Sequence, residues 1–509
     1  MRTRVAPQIR RLEVAGADTV VLTAGVVERL TGRYTVDIGR GTTVTRIPLE
    51  TFDRRLVAAG LALHLQEFAG EAALVLRRDD GSEVTSAATG FTAPAVADRL
   101  PPGAVRDIVA GPMKLRAVIA GPPKRRRVQL LTVRDKNSKA VVRIELDAPA
   151  GSGATDALGG TVLTVSPVKG YERDGTRVLG LLSRLPGVAP VAAPDPEPAI
   201  KPPAALIERS TPAPQAVADV VSGYLAEMCA NIPGLIDDID TEFLHDYRVA
   251  VRRTRSTLKL SRPVLDPATV RHWEAEGKRL GDLTTPLRDL DVHLLGLPTM
   301  RGWLVSADPA DLAPFEAHLR RRRATAHREL VRALGTRRSQ EFLTDWTGEL
   351  VETAGELSRI TADELSRGCI SRAHRRVVKL GSAIKADSPH EGLHTLRKRC
   401  KELRYALEMF TALHDPTTTG KAIADLKRLQ DCLGRFQDAE VQQHAVRTFA
   451  DEMAAGSAPA SALLAMGELV THLETDQAAA RTDLGDAFAR FVRPSSTARL
   501  QALGTEGSR

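Results

Sequence analysis

Aromatic residues make up only 4% of the 509 residues, too few to build the stacking platforms that read single-stranded nucleic acids. The four cysteines, Cys229, Cys369, Cys400 and Cys432, stand far apart with no CxxC pair. That argues against a zinc site or a disulfide framework and fits a reducing cytoplasm. No run of 18 apolar residues occurs, and the opening stretch MRTRVAPQIRRLEV lacks the apolar core of a signal peptide, so an unexported protein without a membrane partner is expected. A Gly-rich P-loop, a nucleophile elbow and zinc-ligand spacings are missing too, and no catalytic residue, metal ligand or cofactor is assigned. Neither sign of charge dominates. The 71 Lys+Arg against 63 Asp+Glu leave a formal +8, which matters only where it is concentrated.

What is present divides at Pro186–Pro214, a proline- and alanine-rich stretch with no periodicity, expected to be a semi-extended linker (186–214). Before it, in residues 1–185, short β-branched runs separated by Gly, Pro and Asp-Gly signals predict an antiparallel sheet or barrel. The runs are Thr19–Leu22, Tyr34–Ile38, Leu61–Leu65, Ala73–Arg77, Leu115–Ala120, Val128–Arg134, Ala140–Leu146 and Thr161–Val165, with short helices near Arg54–Ala59 and Ala95–Leu100. After the linker the period changes from 2 to 3.6. Residues 215–493 read as all-α, with helices such as Val217–Met228, Phe243–Leu260, Ala268–Leu280, Leu312–Leu334, Ser339–Ser366, Gly420–Gly434 and Ala439–Met453, and 494–509 as a flexible tail. The fold class is therefore α+β and multidomain.

The helical half repeats itself. His245-x2-Arg248-x3-Arg252-x2-Arg255 recurs as His394-x2-Arg397-x3-Lys401-x2-Arg404, an offset of 149 residues. The same offset relates Lys278-Arg279-Leu280-x-Asp282 to Lys427-Arg428-Leu429-x-Asp431, and Asp289-x-Asp291 to Asp438-x-Glu440, so duplication is expected, with repeats at 215–366 and 367–493. On a helix, His245, Arg248, Arg252, Arg255 and Lys259 fall within an arc of about 80°. Leu244, Tyr247, Val251 and Leu258 lie beside them as a core flank, and Leu393, Leu396, Cys400 and Leu407 do the same in the second copy, where Lys398 adds charge. Like charges at i,i+3 and i,i+4 repel by a few tenths of a kcal/mol per pair, a burden that a bound polyanion relieves. A basic run on a helix is ordinarily a solvated face balanced by acids one turn away; the duplicated spacing argues for phosphate contacts instead, with Arg253 adjoining them. His245 and His394 are expected to gain charge as pH falls. Asp289, Asp291, Asp438 and Glu440 are expected to hold the cations in position, and Arg320 and Arg323, from the run Arg320–Arg323, to add auxiliary contacts.

These motifs, with LGDLTTPLRDLDV and LKRLQDCLGRFQDAEV following them, resemble the two repeats of a CHAD domain, the conserved histidine α-helical domain, over about Ala216–Arg490. The resemblance implies two pseudo-symmetric four-helix bundles around a basic cavity, inorganic polyphosphate as ligand, and association with polyphosphate granules. One departure is Thr284-Thr285-Pro286, where a glycine is expected near the turn.

Residues 10–185 resemble a CYTH domain, a triphosphate-tunnel β-barrel, through Leu49–Leu63, Arg126–Leu130 and Val141–Asp147. Such an enzyme holds Mg2+ or Mn2+ with carboxylates on alternate strand positions and grips phosphate with opposing cations. The family's ExExK is absent; Arg11-Leu12-Glu13-Val14 keeps at most one glutamate, and Leu61–Leu65 offers only His64 as a polar residue. Arg77, Arg78, Arg126 and Arg127 remain, while Glu145 and Asp147 read as surface residues of a hairpin. A barrel that has lost its reaction is expected, with an active triphosphatase as the alternative and a nucleic-acid binder as a third reading that scarce aromatics oppose. The sequence leaves protein partners open.

Overall fold

The computed structural model describes residues 10–14, 19–150, 160–190, 207–344, 346–355, 359–385 and 387–505. The chain forms two compact units, Met1–Lys201 and Pro202–Arg509. Most of the expected linker, residues 191–206, lies outside the described residues, and its first part, Val188–Pro190, is a strand.

Strands β1 (Arg10–Val14), β2 (Thr35–Ile38), β3 (Thr42–Thr51), β4 (Leu61–Phe68), β5 (Glu71–Arg78), β6 (Glu83–Ala87), β7 (Val118–Ala120), β8 (Lys124–Arg134), β9 (Ala140–Pro149), β10 (Thr161–Pro167) and β11 (Val188–Pro190) make one antiparallel sheet. Its order is β11-β1-β10-β9-β8-β3-β4-β5-β6, with β2 added to β8 and β7 to β3. The expected barrel does not close: among the described residues β11 and β6 end the path without pairing to each other.

Alternation along each strand sends one face to the core. Leu63, Leu65, Leu74 and Leu76 pack with Leu56 of α2 (Arg55–Ala58) and with Val105, Val109 and Met113 of α3 (Ala104–Met113). Leu131, Val133, Ile144, Leu146 and Leu163 pack with Val26 and Leu30 of α1 (Thr19–Leu30) and with Val178 and Leu182 of α4 (Glu172–Leu182). The Thr19–Leu22 strand expectation fails because those residues open α1: Leu22, Val26 and Leu30 are buried at four-residue spacing, a period that four residues are too few to reveal.

The second unit contains α5 (Ala213–Ile236), α6 (Thr241–Leu260), α7 (Pro267–Arg301), α8 (Ala313–Leu334), α9 (Arg337–Leu343), α10 (Thr347–Glu352), α11 (Ala362–Gly381), α12 (His390–Met409), α13 (Pro416–Ala455), α14 (Ala460–Phe491) and α15 (Pro494–Gly504). Helices α11, α12 and α13 each start 149 residues after α5, α6 and α7. The start signals are duplicated as well. Asp266 before Pro267 accepts from the amides of Ala268 and Thr269, and Asp415 before Pro416 accepts from that of Thr418.

Helix α7 runs unbroken through Thr284-Thr285-Pro286, the segment that departs from the expected glycine near a turn. Likewise, Gly420–Gly434 and Ala439–Met453 are one helix, because Leu433, Phe436 and Ala439 stay buried in phase across the join. Ser339–Ser366, by contrast, is split among α9, α10 and the start of α11. The expected tail is helical in α15, where Leu500 and Leu503 are buried and the side chains of Ser496 and Arg499 bind Asp425; residues 506–509 lie outside the described set. The two repeats share a core: Leu297 of α7 and Phe315 and Leu319 of α8 pack with Val446 and Met453 of α13 and Met466 and Leu469 of α14. No helix among the described residues is long and apolar enough to cross a membrane.

One close approach tests this packing. A Cβ at Gly381, the last residue of α11, would overlap the Phe488 ring of α14. Gly381→Ala is therefore expected to destabilise the protein by about 1–3 kcal/mol, read as a lower melting temperature of the helical unit by circular dichroism at 222 nm.

Candidate anion-binding cleft

Helix α6 buries Phe243, Leu244, Tyr247, Val251 and Leu258, and α12 buries Leu393, Leu396, Cys400, Leu403 and Leu407, so each has one flank fixed in the core. The adjoining flanks meet. Arg253 lies 3.8 Å from Glu408, and Lys259 lies 2.9 Å from Glu402. Residue numbers rise along one helix while they fall along the other, so the pair crosses antiparallel, centred near Ser256 and its 149-offset counterpart Tyr405. Beside the crossing is a cleft of about 280 Å3, lined by Arg252, Arg255 and Lys259 from α6, Lys398, Arg399 and Lys401 from α12, and the acids Glu274 and Glu402.

Two carboxylates carry much of the neutralisation. Glu402 binds Lys259 and Arg399 (2.7 Å), and Glu408 binds Arg404 (2.6 Å) and lies near Arg253, whose guanidinium is also 6.0 Å from the Tyr224 ring centre. The remaining cations have no such partner. Arg252 and Lys398 make no ion pair or hydrogen bond among the described residues. The Nε of Arg255 is buried and has no partner among the described residues, and its Cγ is so near α7 that a Cβ at Gly277 would come within 2.8 Å of it. Burial, reinforced by Arg397 and Arg252, pushes the Lys401 ammonium down to about 8 against a small opposing effect of Asp438.

At the outer ends the duplicated residues have different surroundings. Arg248 donates to the Gly281 carbonyl (3.0 Å) and to the hydroxyls of Thr284 (2.6 Å) and Thr285 (3.0 Å), so the Thr-Thr-Pro departure supplies it with acceptors. Arg397 instead donates to Asp438 (3.0 Å). His394 lies 2.9 Å from Glu440, which also binds His390. Among the described residues His245 makes no equivalent ion pair; burial and then Arg288 lower its pKa against the opposing effect of Glu242 and Asp246, so in the free protein it gains charge only at lower pH than an ordinary histidine. Asp289 lies near Arg248 and Arg288, but Asp291 is 1% exposed and binds Arg323 at 2.6 Å. Arg323 also makes two 2.6 Å bonds to Asp238, and Arg320 pairs with Glu316 on its own helix. Neither arginine lines the cleft.

Sequence reasoning missed Thr395, Arg399, Glu402 and Tyr405 as lining residues. They sit outside the 80° arc, on the side of α12 that the antiparallel crossing turns inward. Glu402 three residues after Arg399 was the one local sign. Arg288, whose buried Nη1 has no partner among the described residues, was missed too.

The sheet unit carries a second charged cluster. Pairing of Arg11 with Thr164, Thr164 with Glu145, Arg46 with Gln66 and Arg77 with Glu83 puts these residues on one face, together with His64 and Asp147. Glu145 and Asp147 are not surface residues of a hairpin: Asp147 is 5% exposed, bound by Arg126 at 2.7 Å and by Arg46, and Glu145 is half-buried 3.7 Å from Arg46. Burial, with Arg46 and Arg77, drives His64 down to about 3. Arg127 is exposed, and Arg78 donates to Ser82 in the β5–β6 turn.

The helical unit is thus a duplicated α-helical domain that gathers cations where its two copies cross. Residues 219–447 match the CHAD domain family, and this chain carries a CHAD domain over that span. Two similar solved structures are a crystal structure of the CHAD domain from the plant Ricinus communis and PptA from Streptomyces chartreusis. The first is 24% identical, covers 59% of this chain and 95% of that one, and has a TM-score of 0.48. The second is 18% identical, covers 55% of this chain and 99% of that one, and has a TM-score of 0.43. No curated protein matches the chain. The antiparallel sheet of the first unit is consistent with a CYTH-like fold.

Lys401 gives this site a stability signature. Its folded value, about 8, lies below the ordinary 10.5, so the charged form is the disfavoured one. The penalty is full below pH 8 and disappears as pH rises through 10.5. Lys401→Met is expected to stabilise the protein at pH 7 by on the order of 1–2 kcal/mol, after allowance for solvent screening, and to give no such gain above pH 10.5 in chemical denaturation.

Proposed function

We propose that the α6–α12 cleft binds inorganic polyphosphate, and that this binding associates the protein with polyphosphate granules in the cytoplasm. The observation that carries the reading is the crowding of Arg397 and Arg252 around a partly buried Lys401, whose ammonium is pushed down to about 8 by burial first and by these two neighbours second. A phosphate chain between these groups removes the repulsion, supplies acceptors to Arg255 and Lys398, and restores the Lys401 proton. Among the described residues Tyr405 is the only aromatic side chain lining the cleft, which favours an anion without bases over a single-stranded nucleic acid.

Geometry also favours a long ligand. Arg248 and Arg397 each lie eight residues before the crossing centre, about 12 Å along a helix, and the antiparallel arrangement puts them at opposite ends. A linear anion reaching both spans up to roughly 24 Å.

Binding of long-chain polyphosphate is expected to weaken linearly with the logarithm of salt concentration, the slope falling by roughly 0.7–0.9 for each phosphate-contacting cation removed. Arg252→Ala with Lys401→Ala should lower affinity about 10- to 100-fold, tripolyphosphate should bind less tightly than the long chain, and single-stranded DNA should compete poorly. Affinity should also decline as pH rises through 8, and Lys401→Arg should remove that decline. Fluorescence anisotropy with labelled polyphosphate measures each of these. Unchanged binding by the double variant, or equal displacement by DNA, overturns the assignment.

A further inference from the structure

The CYTH resemblance implies a divalent cation held by carboxylates on the polar face of the sheet, and the side chains present do not fit one. Glu145 and Asp147 do occupy alternate positions of β9 and face the same way, the arrangement a metal site requires. Yet both oxygens of Asp147 are already taken: Oδ1 accepts from Arg126 Nε at 2.7 Å, and Oδ2 accepts from Arg46 Nη1. Arg46 Nη2 also lies 3.7 Å from Glu145 Oε1, and its Nε donates to Gln66 at 3.0 Å, so the guanidinium is braced from β4 while it spans the two acids on β9. Among the described residues no group of three or more His, Cys, Asp or Glu side chains is placed to hold a metal ion.

We infer that the Arg46 guanidinium is the resident cation of this face, standing between Glu145 and Asp147 where a divalent ion would otherwise be held. The position suits it. Arg46 is 15% exposed, and two carboxylates removed from water need a partner charge that stays put. A guanidinium keeps its charge at any physiological pH and offers donors to both acids at once. A divalent ion entering there would meet Arg46 and Arg126, with Arg11 and Arg77 adding further positive charge across the face. The face is therefore closed to metal by a side chain of the chain itself, and removing that side chain opens it.

Mn2+ binding to the full-length protein, washed free of polyanions at high salt, tests this by the loss of the free-ion electron paramagnetic resonance signal. The parent is expected to bind no Mn2+ at this face, so Glu145→Gln leaves its titration unchanged. Arg46→Ala is expected to gain one site, to melt at higher temperature with Mn2+ present, and to lose both properties when Glu145→Gln is added. Arg46→Lys, which keeps a cation in place, should stay closed. An Mn2+ site in the parent that Glu145→Gln abolishes overturns the inference, as does a folded Arg46→Ala protein that gains no site. If Arg46→Ala does not fold, Arg46→Gln, which removes the charge and keeps most of the side chain's bulk, takes its place in the same titration with the same two outcomes.

Discussion

Two helices cross with their like charges turned toward each other, and neither can rotate away. Tyr247 and Leu258 on α6, and Leu396 and Cys400 on α12, are wholly buried, so the core flank fixes the direction of the basic flank. Repulsion of this kind destabilises the empty protein, and the cores on either side must outweigh it. Glu402 and Glu408 cancel part of the excess, leaving Arg252, Lys398 and Lys401 without an ion pair among the described residues. An unrelieved cluster next to a cleft is what a polyanion site needs, because the energy released on binding is stored in the fold beforehand.

Duplication set the frame and local departures tuned it. Helix starts, aspartate caps and prolines recur at the same offset, so the backbone of the second copy follows that of the first. The side chains around the two histidines do not. His394 has a glutamate and His245 has a second-helix arginine for a neighbour. Asp291, the counterpart of Glu440, is drawn into the Arg323–Asp238 network, which pins α8 to the end of α5. The two arms of the proposed phosphate path thus differ in charge, and the linear ligand meets a denser set of acids at the α12 end.

The sheet unit faces the same problem and resolves it the other way. Its polar face gathers arginines as closely as the cleft does, and there each buried carboxylate lies against a guanidinium. On the sheet the buried carboxylates are satisfied by neighbouring guanidiniums, although Arg11 keeps a buried Nε without a partner among the described residues; at the helix crossing it is cations that are left over. The difference follows from geometry. Neighbouring strands bring opposite charges within bonding distance across the sheet, whereas on a crossing helix pair only residues near the crossing can reach a partner.

Periodicity alone determined the all-α half, the core flanks of α6 and α12, the duplication and the ladder residues, because each is a local property written every three or four positions. It failed on α1, where three β-branched residues and a leucine concealed a helical period, and at the 434–439 join, where two helices were expected and the buried face of α13 runs through as one. The site was legible only in part. Arg252, Arg255, Lys259, Lys398 and Lys401 were found from their spacing, while Arg399, Glu402 and Tyr405 came to the cleft through the antiparallel crossing, and Arg320 and Arg323 were taken from it by Glu316, Asp238 and Asp291. The fate of Glu145 and Asp147 likewise depended on Arg46, a hundred residues earlier in the chain. A helix or strand fixes which way its side chains point, but which charges meet is decided by contacts between segments far apart in sequence, and no local period records those.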